Sequence, residues 1–127
     1  MKTLGLLAAL LFVFTSAAQA QQVPPYVYPA TIGTASTPIL PVNSARRRIV
    51  FYNPNATAII AFCPVGPGRN GTAITCAVNG AGSITLLPYA SYTLDGGTPS
   101  GPPLAMGSAW NAIANTASSA FTVLEFE

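Results

Sequence analysis

The most regular pattern of apolar positions in the chain lies in residues 46–53, RRRIVFYN. Successive side chains of an extended strand point to opposite faces, so Ile49 and Phe51 would share one face and Val50 and Tyr52 the other. Both faces are then apolar, which is typical of a strand that lies between two neighbours. We therefore predict a central strand here, with Ile49 and Phe51 in the core.

Short apolar segments of this kind recur along the chain and are separated by turn-forming residues. Segment 57–63 is rich in β-formers and predicts a second apolar strand, while Asn79-Gly80 and Asp95-Gly96 are turn signals. Many short strands at close spacing indicate an all-β fold, a single small β-sandwich or barrel-like domain of antiparallel strands. The predicted strands are 31–34, 37–40, 46–53, 57–63, 72–78, 83–87, 91–94, 104–106, 109–114 and 120–125.

The N-terminal residues have the pattern of a secretory signal peptide. Lys2 supplies a positive charge, residues 4–14 form an apolar run, and Ala18-Gln19-Ala20 matches the small-x-small cleavage pattern. The run is shorter than the roughly 20 residues that span a bilayer, and an uncleaved membrane anchor is the alternative. The predicted division is a signal peptide at 1–20, a Pro-rich extended leader at 21–29 (a flexible arm or a first edge strand), and the β-sandwich domain at 30–127.

Charged residues are scarce in this chain. They make up 6% of the sequence, against about a quarter in an average globular protein. Loss of Lys2 with the signal peptide would leave four arginines against three acidic residues, a net charge of +1. Such a chain is neither a polybasic nucleic-acid binder nor an acidic tail, and its low charge does little to oppose self-association.

The two cysteines, Cys63 and Cys76, predict a disulfide, because an even pair in an exported chain is usually oxidised. Two buried thiols are the alternative. The bond would close a loop of about a dozen residues, which the loop-entropy model values at roughly 3 kcal/mol.

Residues that could perform catalysis are few. The chain has no histidine, which removes the commonest general base and metal ligand. Its acids are Asp95, Glu125 and Glu127, and nothing in the pattern holds two of them across a cleft as glycosidases require. Segment 66–71 matches G-x-G-x-x-G, but a strand is predicted after it, not the helix that a phosphate-binding loop needs. We predict no catalytic residue, no cofactor and no metal site, and interpret the chain as a non-enzyme.

Two groups of residues are candidates for ligand binding. Arg46, Arg47 and Arg48 are a candidate anion site, of which alternation in a strand would leave at most Arg46 and Arg48 on one face. The alternative is a solvated start of a strand, and two phosphate contacts would give weak, salt-sensitive binding with no duplex nucleic acid as partner. Three aromatic residues are a candidate glycan platform, for which packing in or near the core is the favoured alternative. They are Tyr89, Tyr92 and Trp110.

Between Pro41 and Leu124 the chain carries a series of elements in a fixed order. They are a basic start with alternating apolar residues ending in Asn at 45–53, Asn-Ala-Thr at 55–57, a Leu-x-Pro-x-x-Ser turn around 87–91, a small-residue strand at 109–114, and Thr-Val-Leu-Glu at 122–125. This order resembles a small β-sandwich module of tailed-phage and prophage virion-associated proteins. The resemblance implies a virion-associated or accessory role without catalysis. The N-terminal segment and the cysteine pair lie outside that pattern and favour a bacterial exported protein that shares the module.

We therefore expect an exported, non-catalytic structural or interaction β-sandwich, located in the periplasm, at the cell surface or outside the cell. The alternatives are a carbohydrate-binding module and a phage virion decoration or fibre component. The expected partner is a protein or a glycan, a homo-oligomer is a candidate state, and no membrane span is expected after cleavage of the signal peptide.

Overall fold

The computed structural model describes residues 25–66, 71, 74–96 and 107–127. The described residues form eight strands and no helix. The strands are β1 (Tyr26–Ile32), β2 (Thr37–Leu40), β3 (Arg48–Tyr52), β4 (Ile60–Pro64), β5 (Ile84–Leu86), β6 (Ser91–Asp95), β7 (Trp110–Ala114) and β8 (Ser119–Phe126).

The strands form two antiparallel sheets that pack face to face. The first sheet, in the order β1-β8-β3-β6, is called sheet A here, and the second, in the order β2-β7-β4-β5, is sheet B. The predicted all-β sandwich is therefore confirmed. Strand β3 lies between β8 and β6, so the predicted central strand is correct.

The core consists of aromatic and branched side chains from the facing sides of the two sheets. Ile49 and Phe51 of β3 are both fully buried, as predicted. The ring of Phe51 stacks on that of Phe62 in the opposite sheet, with 4.0 Å between centroids, and the rings of Trp110 and Phe121 also lie against Phe51. Each such side chain contributes about 1.5–3 kcal/mol when it is fully removed from water, so this cluster holds the two sheets together.

Strand β4 is buried on both faces. Ile60 and Phe62 face the other sheet, and Ala61 and Cys63 face away from it but are also buried. Cys63 is bonded to Cys76 with 5.5 Å between the Cα atoms. The predicted disulfide is confirmed, and it holds residues 74–78 against the outer side of sheet B.

The predicted strand at 72–78 is wrong for its described part, residues 74–78, which are in no sheet. The amide of Ala77 donates to the hydroxyl of Ser83, and the amide of Asn79 donates to the hydroxyl of Thr85. These amides therefore bond to side chains where a strand would bond to a neighbouring backbone. The disulfide consequently joins strand β4 to a covering segment, whereas the sequence predicted both of its cysteines in strands, at 57–63 and 72–78.

Strand β1 extends the sandwich toward the N-terminus of the chain. It starts at Tyr26, four residues before the predicted domain boundary, and pairs along its whole length with β8. Residues 26–29 are thus the first edge strand, one of the two alternatives for the Pro-rich leader. Pro29 is compatible with this place because an edge strand leaves one side of its backbone unpaired. The signal peptide at 1–20 and the predicted strand at 104–106 lie outside the described residues.

Candidate functional site

The arginine cluster is divided between the interior and the surface. The side chain of Arg46 is 0% exposed and its guanidinium lies 2.9 Å from Glu125 Oε2, whose residue is 1% exposed. The same guanidinium donates to the carbonyl oxygens of Ser108 and Pro41, each at 2.9 Å. Arg46 is therefore a buried cation that links β8 to the segments before β3 and β7.

Asn43 completes this buried pair from the turn before β3. Its side-chain amide donates to Glu125 Oε1, and also to Glu127 Oε1 at 2.7 Å. Its side-chain oxygen accepts from the amide of Ala45 at 3.0 Å. Both carboxylate oxygens of Glu125 therefore have a donor, which a buried carboxylate requires.

Arg48, in contrast, lies on the surface at the start of β3. Its side chain is 52% exposed and donates to Asp95 of β6, and its guanidinium lies 5.9 Å from the centroid of the Phe126 ring. Arg46 precedes the strand and does not follow its alternation, so the expectation that Arg46 and Arg48 share a face is wrong. The structure does not bring them together as an anion site, and the interpretation of a solvated strand start is also wrong for Arg46.

Tyr28 of β1 lies close to the buried pair. Burial raises the pKa of its phenol above the ordinary value of 10.0, and the nearby Glu125 carboxylate raises it further, while the Arg46 cation lowers it. The phenol is therefore held in its neutral form, which suits a site next to a carboxylate.

Asp95 and Glu125 do not face each other across a cleft as a catalytic pair of carboxylates. Asp95 and Glu125 lie on the two strands that flank β3. The Asp95 side chain is 57% exposed on the outer face, while that of Glu125 is buried among the core residues. They thus point to opposite faces of one sheet. Among the described residues, no three Cys, Asp or Glu side chains lie close enough together to hold a metal ion.

The three aromatic residues proposed as a glycan platform are in different environments. Trp110 is only 3% exposed and packs in the core against Phe51 and Phe62. Tyr92 is 39% exposed, with its ring 5.9 Å from that of Phe62, so it covers the edge of the core. Tyr89 is 64% exposed in the turn before β6, where its φ is 58°. The structure therefore does not bring the three rings to one surface.

No protein-family model, curated protein or solved structure matches this chain. The resemblance to phage virion modules is not tested by these comparisons and stays a prediction. Within the part of the chain that the structure describes, there is no helix of the length and apolar character that a bilayer crossing demands.

Within the described residues, strand β6 ends sheet A and pairs on one side only, with β3, a feature that the sequence pattern did not reveal. The amide of Asn53 donates to Ala90 O just before the strand, and the amide of Gly96 donates to Arg47 O just after it. In an antiparallel ladder such pairs alternate, so positions 90, 92, 94 and 96 bond toward β3. The amides and carbonyls of Ser91, Thr93 and Asp95 must then point away from the sheet, and no described residue bonds to them.

The other three edges of the sandwich are less suited to pairing with another strand. Edge strand β1 contains Pro29 and edge strand β2 contains Pro38, each of which lacks an amide proton. Edge strand β5 has only three residues. Strand β6 has five residues and no proline, and proteins normally block such an edge with proline, lysine or a covering segment. The contrast is visible in the sequence, since β1 and β2 each contain a proline and β6 does not.

Proposed function

We propose that this chain is an exported, non-catalytic structural or interaction module, and that it binds a protein partner by adding an extended strand to sheet A at β6. The disulfide supports export, because such bonds persist in oxidising compartments outside the cytoplasm. The signal-like residues 1–20 support the same compartment. The finer location is the periplasm, the cell surface or the exterior.

The observation that carries the proposal is the outward-pointing backbone of Ser91, Thr93 and Asp95, which bonds to no other residue that the structure describes. Main-chain hydrogen bonds give affinity when a strand is added to an exposed sheet edge, and the flanking side chains give specificity. The added strand would meet Tyr92 on the core side of the edge, where the tyrosine ring is incompletely covered. An apolar side chain of the partner at that position would bury it further.

A library of short randomised peptides tests this mode of binding, with amide hydrogen exchange as the readout. Bound peptides should protect the amides of Ser91, Thr93 and Asp95. The amides of Tyr92 and Leu94 already bond to β3 and provide an internal control that should not change. Protection on another edge strand, or no peptide binding together with clear binding on a glycan array, would contradict the proposal and favour a carbohydrate-binding module.

Two substitutions at one position sharpen the test. Thr93→Pro removes the outward amide, and an edge strand tolerates proline where the amide faces solvent. Thr93→Val keeps that amide and changes only the exposed side chain. We expect Thr93→Pro to abolish peptide binding and Thr93→Val to retain it. Equal binding by both variants would show that the backbone of β6 is not the contact.

A further inference from the structure

We propose that the partner of β6 is β6 of a second copy of this chain, in an antiparallel dimer with the two Thr93 residues directly opposite each other. This inference rests on the proposed function, since it names the partner of the same edge. Sheet A would then continue through the two-fold axis into sheet A of the partner, as one eight-stranded sheet.

The alternation of the backbone selects this register. The groups that point outward belong to Ser91, Thr93 and Asp95, so an antiparallel copy pairs fully only when these residues face one another. A two-fold axis at Thr93 places Ser91 opposite the partner's Asp95 and repeats that pair on the other side. Each facing pair exchanges two bonds, which makes about six hydrogen bonds across the axis.

Registers with the axis at Tyr92 or Leu94 also join outward groups, but each leaves one outward residue of β6 opposite a position outside the partner's β6. Registers one step further are less favourable still. An axis at Asp95 would place two carboxylates directly opposite each other, and like charges in facing positions destabilise a strand pair. An axis at Ser91 would place Asp95 opposite residue 87 of the partner, next to Pro88 in the turn that precedes the strand. The register at Thr93 is therefore the one that pairs all three outward-pointing residues of β6 with those of the partner.

Side chains on both faces match across this register. On the core side, Tyr92 would lie opposite the partner's Leu94, and this contact occurs twice. Tyr92 is 39% exposed and Leu94 is half-buried, so each covers apolar surface of the other. On the outer face, the hydroxyl of Ser91 can donate to the partner's Asp95, and the two threonines meet at the axis, where such polar pairs are favourable.

Long-range charge does not prevent this contact. Asp95 is already paired with Arg48 in its own chain, so the edge presents little net charge. The whole chain carries a formal charge of +2, and so small a charge gives weak repulsion between copies.

Charge-swapped variants at Thr93 provide the main test, with sedimentation velocity over a range of concentrations. The unsubstituted protein should form a dimer as concentration rises. Thr93→Lys and Thr93→Glu should each stay monomeric, since like charges would face each other at the axis, and an equimolar mixture of the two should form a heterodimer. Thr31→Lys is the control, because Thr31 is also exposed on the outer face of an edge strand of sheet A, β1. This variant should dimerise as the unsubstituted protein does.

Cysteine cross-linking tests the register itself. Facing residues in an antiparallel pair have Cα atoms about 5.5 Å apart, within the range of a disulfide. Thr93→Cys should therefore give a covalent dimer on mild oxidation. Ser91→Cys should not, because the two copies of residue 91 would be about 13 Å apart, four residues along the strand.

The outcomes separate this inference from the proposed function. A protein that stays monomeric at millimolar concentration but binds peptides at β6 contradicts the dimer and leaves strand addition intact. A dimer that Thr93→Lys and Thr31→Lys weaken equally contradicts the β6 register. Failure of both peptide binding and self-association would overturn both proposals.

Discussion

Arg46 and Arg48 are two residues apart, but the energetic roles of their side chains differ. Arg46 is buried with Glu125, and Arg48 is exposed beside Asp95. Removing one member of a buried ion pair leaves the other charge in the interior without its counterion, which typically costs 3–5 kcal/mol. An exposed pair contributes about 0–1 kcal/mol.

We therefore expect Arg46→Ala to lower the free energy of unfolding by about 3–5 kcal/mol. The matched variant Arg48→Ala should lower it by no more than about 1 kcal/mol. Urea titrations followed by fluorescence measure both. Equal losses in the two variants would show that the buried network does not stabilise the fold as described.

The raised pKa of Tyr28 predicts that the free energy of unfolding decreases at alkaline pH. Its pKa is raised in the folded protein by burial and by the Glu125 carboxylate, so above about pH 10 the unfolded chain loses this proton more readily than the folded one. The stability of the unsubstituted protein should then be unaffected by this group below pH 10 and fall as pH rises through the raised pKa. Tyr28→Phe removes the group, so its stability should fall less steeply over that window. Parallel curves from denaturant titrations at several pH values would contradict this.

The buried side chain of Asn53 connects two segments that are far apart in the sequence, the loop after β3 and the turn before β6. The residue is fully buried directly after β3, and its side-chain nitrogen Nδ2 lies 2.8 Å from Ala58 O and 3.0 Å from Leu87 O. One side chain thus joins the loop after β3 to the Leu-x-Pro-x-x-Ser turn before β6. The sequence pattern ended the predicted strand 46–53 at Asn53, but the carbonyl oxygens to which its side chain donates could not be predicted from local pattern.

At the scale of the element, strand β3 places one face in the core and the other on the outer surface of sheet A. Phe51 packs in the core against Phe62 and Trp110, while Tyr52 points to the outer face and is partly exposed. Truncation of a fully buried phenylalanine costs about 3–5 kcal/mol because of lost burial and the cavity that remains.

We expect Phe51→Ala to lose about 3–5 kcal/mol in denaturant unfolding, and Tyr52→Ala clearly less. The two residues are adjacent in one strand, so the comparison separates core packing from strand propensity. A loss below about 1 kcal/mol for Phe51→Ala would show that the Phe51 ring does not stabilise the core as described.

The disulfide connects β4 to a segment outside both sheets. Replacing both cysteines by alanine should lower the free energy of unfolding by about 3 kcal/mol, as the loop-entropy model gives for a loop of this length. Since residues 74–78 bond to the rest of the protein mainly through side chains and this bond, their amides should also exchange faster. In the unreduced protein, denatured and treated with a thiol reagent, full labelling of both cysteines would rule out the bond.

At the scale of the whole molecule, local sequence pattern predicted some features of the fold and not others. Alternation of apolar residues was sufficient to predict β3, and turn residues were sufficient to predict many short strands and a sandwich. Burial of Arg46 was not predicted, although Phe121, Val123 and Glu125 alternate and place the glutamate on the core side of β8. Tertiary packing determines which residue pairs with Glu125, the order of the strands in each sheet and the position of Cys76. The pattern of a single sequence does not contain this information.

At the same scale, we expect the exported protein to begin at Gln21, after cleavage at Ala18-Gln19-Ala20. Intact-mass analysis of the protein recovered outside the cytoplasm measures this directly. A mass that retains residues 1–20 would indicate an uncleaved anchor. Replacing Ala18 and Ala20 by bulky residues should block cleavage, because the peptidase site requires small side chains.

The position of β8 has a consequence for the timing of folding. It lies between β1 and β3, and Tyr26 pairs with Glu125 across nearly the whole described chain. Sheet A therefore has no interior strand to pair with β1 until residues 119–126 are available, and contacts of such long sequence separation form slowly. A chain that must cross a membrane as an extended polymer has to avoid completing its fold beforehand. Under the proposed export, sheet A would stay incomplete, and the chain open for translocation, until residues 119–126 had been made.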